Sequence, residues 1–200
     1  MAKRQPAKKV KSKAMRAGAA ASRDVAMGEP KAERPSFAKG YGIGTGTDGM
    51  REWKEVTAML AKAHTYWLGT VRPDGRPHVM PVWGVWMDGA VYFGTDRESQ
   101  KGRNLRANPS VTVHLDGEYA VIVEGRARQV SDAGVIARLD KDYAKKYGMS
   151  LTSASPVEPF VVAVEPEKIF AFREKDFPKS ATRWRFGSKA AAAGESGAGE

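Results

Sequence analysis

The sequence predicts a mainly β domain of the α+β class, in which antiparallel strands form a small barrel flanked by helices. Roughly seven or eight short segments rich in β-branched and aromatic residues alternate with Gly, Pro and Asp turn signals. Hairpin dipeptides join several of them, for example Asp88-Gly89 and Asp116-Gly117. No repeat at a fixed period is visible, and hairpin-linked strands favour a barrel over a parallel sheet.

The individual elements follow from periodicity. Apolar residues on one helical face predict a helix over 51–63 and another over 132–147, which Gly148 ends. In segment 77–87 both faces are apolar, and Pro81 predicts a bulge or an edge there because proline has no ladder donor. Predicted strands cover 65–71, 77–87, 90–93, 110–115, 119–130, 160–164, 168–172 and 182–186.

The positive charge is concentrated at the start of the chain. The formal net charge is +10, and the first 39 residues hold eleven Lys or Arg against three Asp or Glu. We therefore expect a basic disordered tail over 1–39, a folded domain over 40–186 and a second disordered tail over 187–200. A basic tail can contact nucleic acid, but the near-neutral domain offers no continuous basic groove, so nucleic-acid binding is not the predicted function.

Composition and motifs exclude several kinds of chemistry. The chain has no cysteine, and its three histidines, His64, His78 and His114, lack metal-ligand spacing. We interpret His78 and His114 as structural or pocket-lining. There is no nucleophile elbow, Walker loop or paired carboxylate, so no catalytic acid or base is nominated and an enzyme would need a reactive cofactor. Without an apolar run of membrane length or a secretory signal, we expect a cytoplasmic protein.

The polar segment 95–105 predicts an anion site. It follows an apolar strand, and Ser99 is placed to cap a short helix that ends near Asn108-Pro109. A helix N-terminus carries unpaired N–H groups and partial positive charge. Because two hydroxyl groups, those of Thr95 and Ser99, and the amine of Lys101 gather there, the site suits a phosphate.

The segment Thr182-Arg183-Trp184-Arg185-Phe186 allows two interpretations. An indole between two guanidinium groups can stack on a planar ring while the cations meet anionic oxygens. Alternatively, Trp184 pins the end of the chain to the barrel. The sequence leaves both open.

Three stretches in this order resemble the pyridoxamine 5′-phosphate oxidase-like family of flavin-binding split barrels. They are Gly-Thr-Val-Arg-Pro-Asp-Gly-Arg-Pro-His-Val-Met-Pro-Val-Trp at 69–83, Val-Tyr-Phe-Gly-Thr at 91–95, and Ser-x-Lys-x-x-Asn-Leu-x-x-Asn-Pro at 99–109. Segment 182–186 is similar to the C-terminal motif of members that use the deazaflavin coenzyme F-420. The resemblance covers about residues 50–186, the length of one ordinary domain.

This resemblance implies a homodimer of six-stranded antiparallel split β-barrels, with two cofactor sites at the subunit interface. The cofactor would be FMN or coenzyme F-420, and the protein would transfer a hydride between it and a small organic substrate. The residues that the resemblance assigns to cofactor binding are Val79, Met80, Pro81, Val82, Gly94, Thr95, Ser99, Gln100, Lys101, Trp184 and Arg185.

Two departures from the family pattern bear on activity. The vitamin-processing oxidases carry an Arg directly before the phosphate-site Lys, where this chain has Gln100, and Arg103 is a candidate replacement one helical turn from Ser99. Their substrate-binding Arg-x-His motif is missing from 183–187. A reductase is therefore favoured over a true pyridoxamine-phosphate oxidase. The alternatives are that oxidase itself and a non-catalytic barrel that holds a flavin, a deazaflavin or haem.

Overall fold

The computed structural model describes residues 30–152 and 160–187, so residues 1–29 of the predicted tail over 1–39, and residues 188–200 of the predicted tail over 187–200, lie outside the described residues. Within these ranges the chain forms nine strands and four α-helices. The helices are α1 (Trp53–Lys62), α2 (Gln100–Ala107), α3 (Ala133–Tyr147) and α4 (Phe177–Ser180). The strands are β1 (Ala32–Glu33), β2 (Tyr66–Val71), β3 (Pro77–Val82), β4 (Val85–Met87), β5 (Ala90–Thr95), β6 (Ser110–Leu115), β7 (Tyr119–Gln129), β8 (Phe160–Arg173) and β9 (Thr182–Arg185).

The strands pair in an antiparallel sheet, which confirms the predicted mainly β class. Its order is β1-β9-β8-β7-β6-β2-β3, and β5 pairs with β8 and with β4. The six-stranded barrel that the resemblance implies is not confirmed, since the described residues form nine strands. The pairing among them does not close a barrel, because β3 and β4 remain at its ends. In the described residues, no helix combines the length and the apolar character needed to cross a membrane.

Strand β8 is longer than the sequence predicts, because the expected break at Glu165-Pro166-Glu167 does not occur. Its first half pairs with β5, its second half pairs with β9, and β7 runs along both halves. Pro166 lies opposite Gly125, where the register with β7 shifts. A proline without a ladder N–H is tolerated at such a bulge. Gly125 is required there, since a Cβ atom would collide with the carbonyl oxygen of Glu165.

The predicted strand over 77–87 divides into β3 and β4 at Gly84. The N–H of Gly84 donates to the Tyr147 hydroxyl at 2.9 Å instead of to a neighbouring strand. A Cβ atom at this position would lie 2.7 Å from the carbonyl oxygen of Tyr92. The corner is therefore made by a close backbone approach that only glycine allows.

The folded part begins before residue 40, which corrects the predicted tail boundary. Ala32 pairs with Trp184 and Glu33 with Arg183, so β1 forms an edge of the sheet. The carboxylate of Glu33 accepts hydrogen bonds from Arg183 Nε at 2.6 Å and from Arg185 Nε at 2.8 Å. These partners lie about 150 positions away along the chain.

Two groups of buried side chains hold the layers together. The larger packs α1 against the sheet interior, with Val56, Leu60 and Trp184 fully buried in it. The smaller lies between α3 and the sheet formed by β4, β5 and the start of β8, around Leu139 and Ala163. Helix α2 lies outside both groups except for Leu105, so its first turn stays near the surface beside β2.

Candidate cofactor site

The N-terminus of α2 has the cap that the sequence predicts. The Ser99 hydroxyl accepts a hydrogen bond from the N–H of Gly102 at 3.1 Å and lies 3.1 Å from the hydroxyl of Thr95. No acidic side chain occupies the first turn of the helix. Both predicted hydroxyl groups therefore meet at the positive end of the helix dipole.

Two basic side chains lie at this end of α2. Lys101 is half-buried, and none of the ion pairs among the described residues includes it. The Arg103 guanidinium turns back to the first turn, where it donates to the Glu98 carbonyl oxygen and, at 3.2 Å, to Gln100 Oε1. Cations at a helix N-terminus are destabilising unless an anion joins them. The arrangement fits an anion site.

A chain of hydrogen bonds connects α2 to β2 and β3. Gln100 Nε2 donates to Asn104 Oδ1 at 2.8 Å, and Asn104 Nδ2 donates to Thr70 Oγ1 at 2.9 Å. The Thr70 hydroxyl in turn lies 3.2 Å from the carbonyl oxygen of His78 in β3. Asn104 is fully buried and Thr70 nearly so. These hydrogen bonds thus hold the first turn of α2 in a fixed position relative to β3, the strand predicted to line the cofactor ring.

Strand β3 presents an apolar surface and an open edge. Val79 is 57% exposed and Met80 41%, Pro81 is also exposed, and Val82 is buried. Among the described strands β3 pairs only with β2, and its register there is continuous. Pro81 therefore lies in an edge strand and not at a bulge, which settles the choice that the sequence left open. The free edge offers backbone groups to a ligand.

Gly94 and Thr95 end β5 directly before the loop that leads to α2. They pair with Val161 and Phe160 of β8, and Thr95 is buried. The structure therefore brings Gly94, Thr95, Ser99, Gln100 and Lys101 to one place, with β3 connected to it through Asn104.

Trp184 and Arg185 do not lie with the other nine predicted residues. They belong to β9, which lies several strands away from β3 in the sheet order. The Trp184 indole is fully buried, with its ring centroid 5.5 Å from that of Trp53. Such burial agrees with the alternative in which Trp184 pins the chain, and stacking on a cofactor would require this core to rearrange. Arg185 is largely exposed and pairs with Glu33.

A second polar cluster fixes the point where β3 ends. Lys146 Nζ donates to the Gly84 carbonyl oxygen at 2.8 Å and lies 3.2 Å from the Tyr66 hydroxyl. The rings of Trp83 and Tyr147 are stacked, with centroids 5.0 Å apart. Burial lowers the pKa of Lys146 to about 8 and raises the pKa of Tyr66.

Thr70, Asn104 and Lys146 were not among the residues predicted from the sequence. One signal for Asn104 was present, because it stands next to the apolar Leu105 and one helical turn after Gln100, on the side of α2 that contacts β2. A polar residue on a buried face needs a partner. Among the described residues, no group of three or more His, Asp or Glu side chains could hold a metal ion.

Known proteins are similar to this chain over the same region. Residues 53–173 match a family model described as pyridoxamine 5′-phosphate oxidase. Over 81 residues the chain is 41% identical to the pyridoxine/pyridoxamine 5′-phosphate oxidase of Paraburkholderia xenovorans, which covers 38% of each chain. Over 97 residues it is 32% identical to a biliverdin reductase of Mycobacterium tuberculosis that depends on reduced coenzyme F-420, which covers 46% of this chain and 70% of the reductase.

A solved structure has a similar fold. A conserved hypothetical protein from Mycobacterium tuberculosis aligns with a TM-score of 0.56 and 25% identity, over 64% of this chain and 88% of that one. By contrast, the match to the Paraburkholderia oxidase spans little more than a third of that enzyme, at 38% of its length. The region that matches the family model contains α2, β3 and the hydrogen bonds between them.

Proposed function

The chain belongs to the pyridoxamine 5′-phosphate oxidase family, and on this premise we propose that it is an oxidoreductase that binds FMN or coenzyme F-420 and transfers a hydride between that cofactor and a small organic substrate. The observation that carries this proposal is the half-buried Lys101, which stands at the positive end of α2 without an acidic partner among the described residues. An anion at that point would relieve the electrostatic cost.

The donors at the first turn of α2 fit a phosphate group. The first N–H groups of a helix, here those of Gln100 and Lys101, have no intrahelical acceptor, whereas the N–H of Gly102 is already satisfied by Ser99. The hydroxyl of Thr95 and the ammonium of Lys101 complete a set of donors that suits phosphate oxygens, while the Ser99 hydroxyl donates to the Asp96 carbonyl oxygen and holds the turn in place. Lys101 and Arg103 would supply the positive charge there.

The surface of β3 suits a flat ring. Val79, Met80 and Pro81 are exposed and apolar, with Val79 and Pro81 on one face of the strand and Met80 on the other, so a ring laid along the open edge would remove part of this apolar surface from water. The unpaired backbone edge of β3 could meet the polar rim of the ring. A flavin or deazaflavin, when bound, supplies the hydride chemistry, and the protein orients it and excludes water.

Reduction of a planar or unsaturated acceptor is the better-supported reaction. Gln100 replaces the Arg of the vitamin-processing oxidases, and the Arg-x-His motif is absent from 183–187. A relative at 32% identity is a reductase that depends on reduced coenzyme F-420. Oxidation of pyridoxamine phosphate is the second candidate, because several similar proteins over 81 or more residues carry that name.

We also propose that the working unit is a homodimer. The outer face of β2 and β3 carries Trp67, 41% exposed, opposite Pro81, and Val79 opposite Gly69. Large apolar side chains together on an open sheet face mark an interaction surface. A second copy there would cover Trp67.

Cofactor titration tests the proposal. We expect FMN or coenzyme F-420 to bind the full chain, and the variant Lys101→Gln to bind it roughly tenfold to a hundredfold more weakly, as expected for a charge-assisted hydrogen bond. Lys175→Gln, an exposed lysine far from α2, is the matched control. A folded protein that binds neither cofactor would exclude this function.

Turnover separates the remaining candidates. Reduced cofactor should be oxidised in the presence of planar unsaturated acceptors, followed by absorbance. Production of pyridoxal phosphate and hydrogen peroxide from pyridoxamine phosphate would instead identify the oxidase. Tight cofactor binding with no turnover of either kind, or binding of haem alone, would point to a non-catalytic carrier.

A further inference from the structure

We propose that His78 is a further anion-binding residue of this site, and that its imidazole donates to the cofactor phosphate from the strand beside Lys101. The inference rests on the proposed function, since the anion is taken to be the cofactor phosphate. It adds a residue that the family resemblance does not assign.

His78 is held at the right place by the polar chain that links α2 to β3. Its Nδ1 atom lies 3.4 Å from the Thr70 hydroxyl, which accepts a hydrogen bond from the buried Asn104 of α2. The imidazole is only half-buried. Its Nε2 atom has no hydrogen-bond partner among the described residues, and it is therefore available to a ligand.

The same contacts allow both charge states of the imidazole. Because Asn104 donates to Thr70, the hydroxyl proton of Thr70 can go to His78 Nδ1 or to the His78 carbonyl oxygen, 3.2 Å away. In the first case Nδ1 is an acceptor and Nε2 carries the proton. In the second case Thr70 can accept from a protonated Nδ1. In either state Nε2–H is a donor.

The charges around His78 favour an anion. Burial and then the positive charges of Arg72 and Lys101 lower the pKa of His78 below its usual value, so without a ligand the ring is mostly neutral at pH 7. No carboxylate contributes to this shift. A phosphate placed between Lys101 and His78 would offset the two cations and raise the pKa of the ring. Binding would then be accompanied by proton uptake.

His78 would also make up for a missing charge. The vitamin-processing oxidases place an Arg next to the phosphate-site Lys, and this chain has Gln100 there, hydrogen-bonded to Asn104. The amide of Gln100 therefore supports the polar chain instead of supplying charge. An imidazolium on β3 would add its charge to those of Lys101 and Arg103, from the strand side of the site.

Calorimetric titration with FMN tests the inference, with coenzyme F-420 as the probe if FMN does not bind. Titrations in two buffers of different ionisation enthalpy measure the protons taken up. We expect the wild-type protein to take up a fraction of a proton more than His78→Asn, which keeps a hydrogen-bonding side chain but cannot titrate. His64→Asn, which removes a histidine outside this polar chain, should match the wild type.

The affinity should depend on pH with a defined sign. The charge of His78 contributes fully below the pKa of the free protein and is lost as the pH rises through the raised pKa of the complex. His78→Asn should therefore bind FMN about tenfold more weakly than the wild type at pH 6. This ratio of the dissociation constants of His78→Asn and the wild type should become smaller as the pH rises toward 8.5. Riboflavin, which lacks the phosphate, should show no such difference.

The outcomes separate the two proposals. Equal proton uptake by the wild type and His78→Asn, together with an affinity ratio that does not change with pH, would overturn the role of His78. If Lys101→Gln still weakened FMN binding in that case, the proposed function would stand. A wild-type protein that binds neither FMN nor coenzyme F-420 would remove both.

Discussion

The ammonium nitrogen of Lys146 lies 2.8 Å from the carbonyl oxygen of Gly84, so the end of α3 is hydrogen-bonded to the corner between β3 and β4. The neighbouring Tyr147 hydroxyl contacts both the N–H and the carbonyl group of Gly84. Together these contacts set where β3 stops and therefore how much of its edge stays open to a ligand.

Lys146 should make stability depend on pH. Burial lowers its pKa to about 8 in the folded protein from the ordinary lysine value of 10.5, so between these values the unfolded chain binds more protons. The wild-type free energy of unfolding should therefore rise relative to that of Lys146→Met from pH 7 to pH 9.5. Urea unfolding at several pH values measures this. For Lys145→Met, which removes an exposed lysine, the free energy of unfolding should change with pH as it does in the wild type. The same pH dependence in Lys146→Met as in the wild type would contradict the lowered pKa of Lys146.

Replacing Ser99 should separate stability from anion binding. Asp keeps the cap and suits the positive end of the helix dipole, but it loses the hydrogen bond that the Ser99 hydroxyl donates to the Asp96 carbonyl oxygen at 2.7 Å, so Ser99→Asp should lose about 1 kcal/mol of stability. Its negative charge would repel a phosphate, and FMN or F-420 binding should weaken at least tenfold. Ser99→Ala, which loses the cap and the same donor but adds no charge, should lose at least as much stability and weaken binding less. Unchanged cofactor affinity in Ser99→Asp would argue against a phosphate at this turn.

Asn104→Leu should destabilise the protein by about 1–3 kcal/mol. The substitution leaves the buried hydroxyl of Thr70 and the amide of Gln100 without their partner, and an unsatisfied buried group costs about that much. Chemical denaturation measures the loss. Asn108→Ala, which removes only a contact with the N–H of Ser110, is the control and should cost less. Similar losses of stability in the two variants would mean that the buried hydrogen-bond chain through Asn104 stabilises the protein no more than an exposed contact does.

Gly102→Ala and Gly134→Ala form a matched pair in the first turns of two helices. A Cβ atom on Gly102 would lie 2.6 Å from the Arg97 carbonyl oxygen and would collide with that of Asp96. On Gly134 it would meet only the Asp132 carboxylate, at 3.2 Å. We expect Gly102→Ala to destabilise the protein by about 1–3 kcal/mol, as overpacking does. Gly134→Ala should be neutral or gain up to about 1 kcal/mol. Thermal unfolding should show a lower midpoint for the first variant and an equal or higher one for the second.

Trp67→Glu should dissociate the proposed dimer. The substitution puts a charge in the middle of the apolar face formed by β2 and β3, where burial against a second copy would be costly. Sedimentation velocity should give a single monomeric species. Met149→Glu changes a side chain that is 44% exposed after the end of α3, and it should leave the dimer intact. A monomeric wild type would rule the interface out.

Local signals were enough to predict most of the elements that carry the candidate site. The Ser99 cap, the turn after Asp88 and the apolar alternation of β6 depend on neighbours a few positions apart, and each was found as expected. The same holds for α1 and α3, whose boundaries agree with the predicted ones within two residues. These elements place Thr95, Ser99 and Lys101 together without any long-range information.

Distant partners explain what the sequence did not show. Ala32 and Glu33 form a strand because Trp184 and Arg183 lie beside them, and the residues around position 33 carry no strand pattern that would predict it. Pro166 does not interrupt β8 because the register with β7 shifts at this point, where Pro166 lies opposite Gly125 of the other strand, so the ladder does not need its N–H. Likewise, the buried Trp184 packs against Trp53, more than a hundred positions away, and no local signal shows this contact.

The position of β8 late in the chain has a consequence for biosynthesis. Until residues 160–173 have left the ribosome, β5 has only β4 beside it and β7 has only β6, so both expose a hydrogen-bonding edge. Nascent chains that pause before that point would expose two unpaired strand edges with apolar side chains, the kind of surface that chaperones recognise. Translation speed across this stretch should therefore govern how much of the protein is recovered soluble.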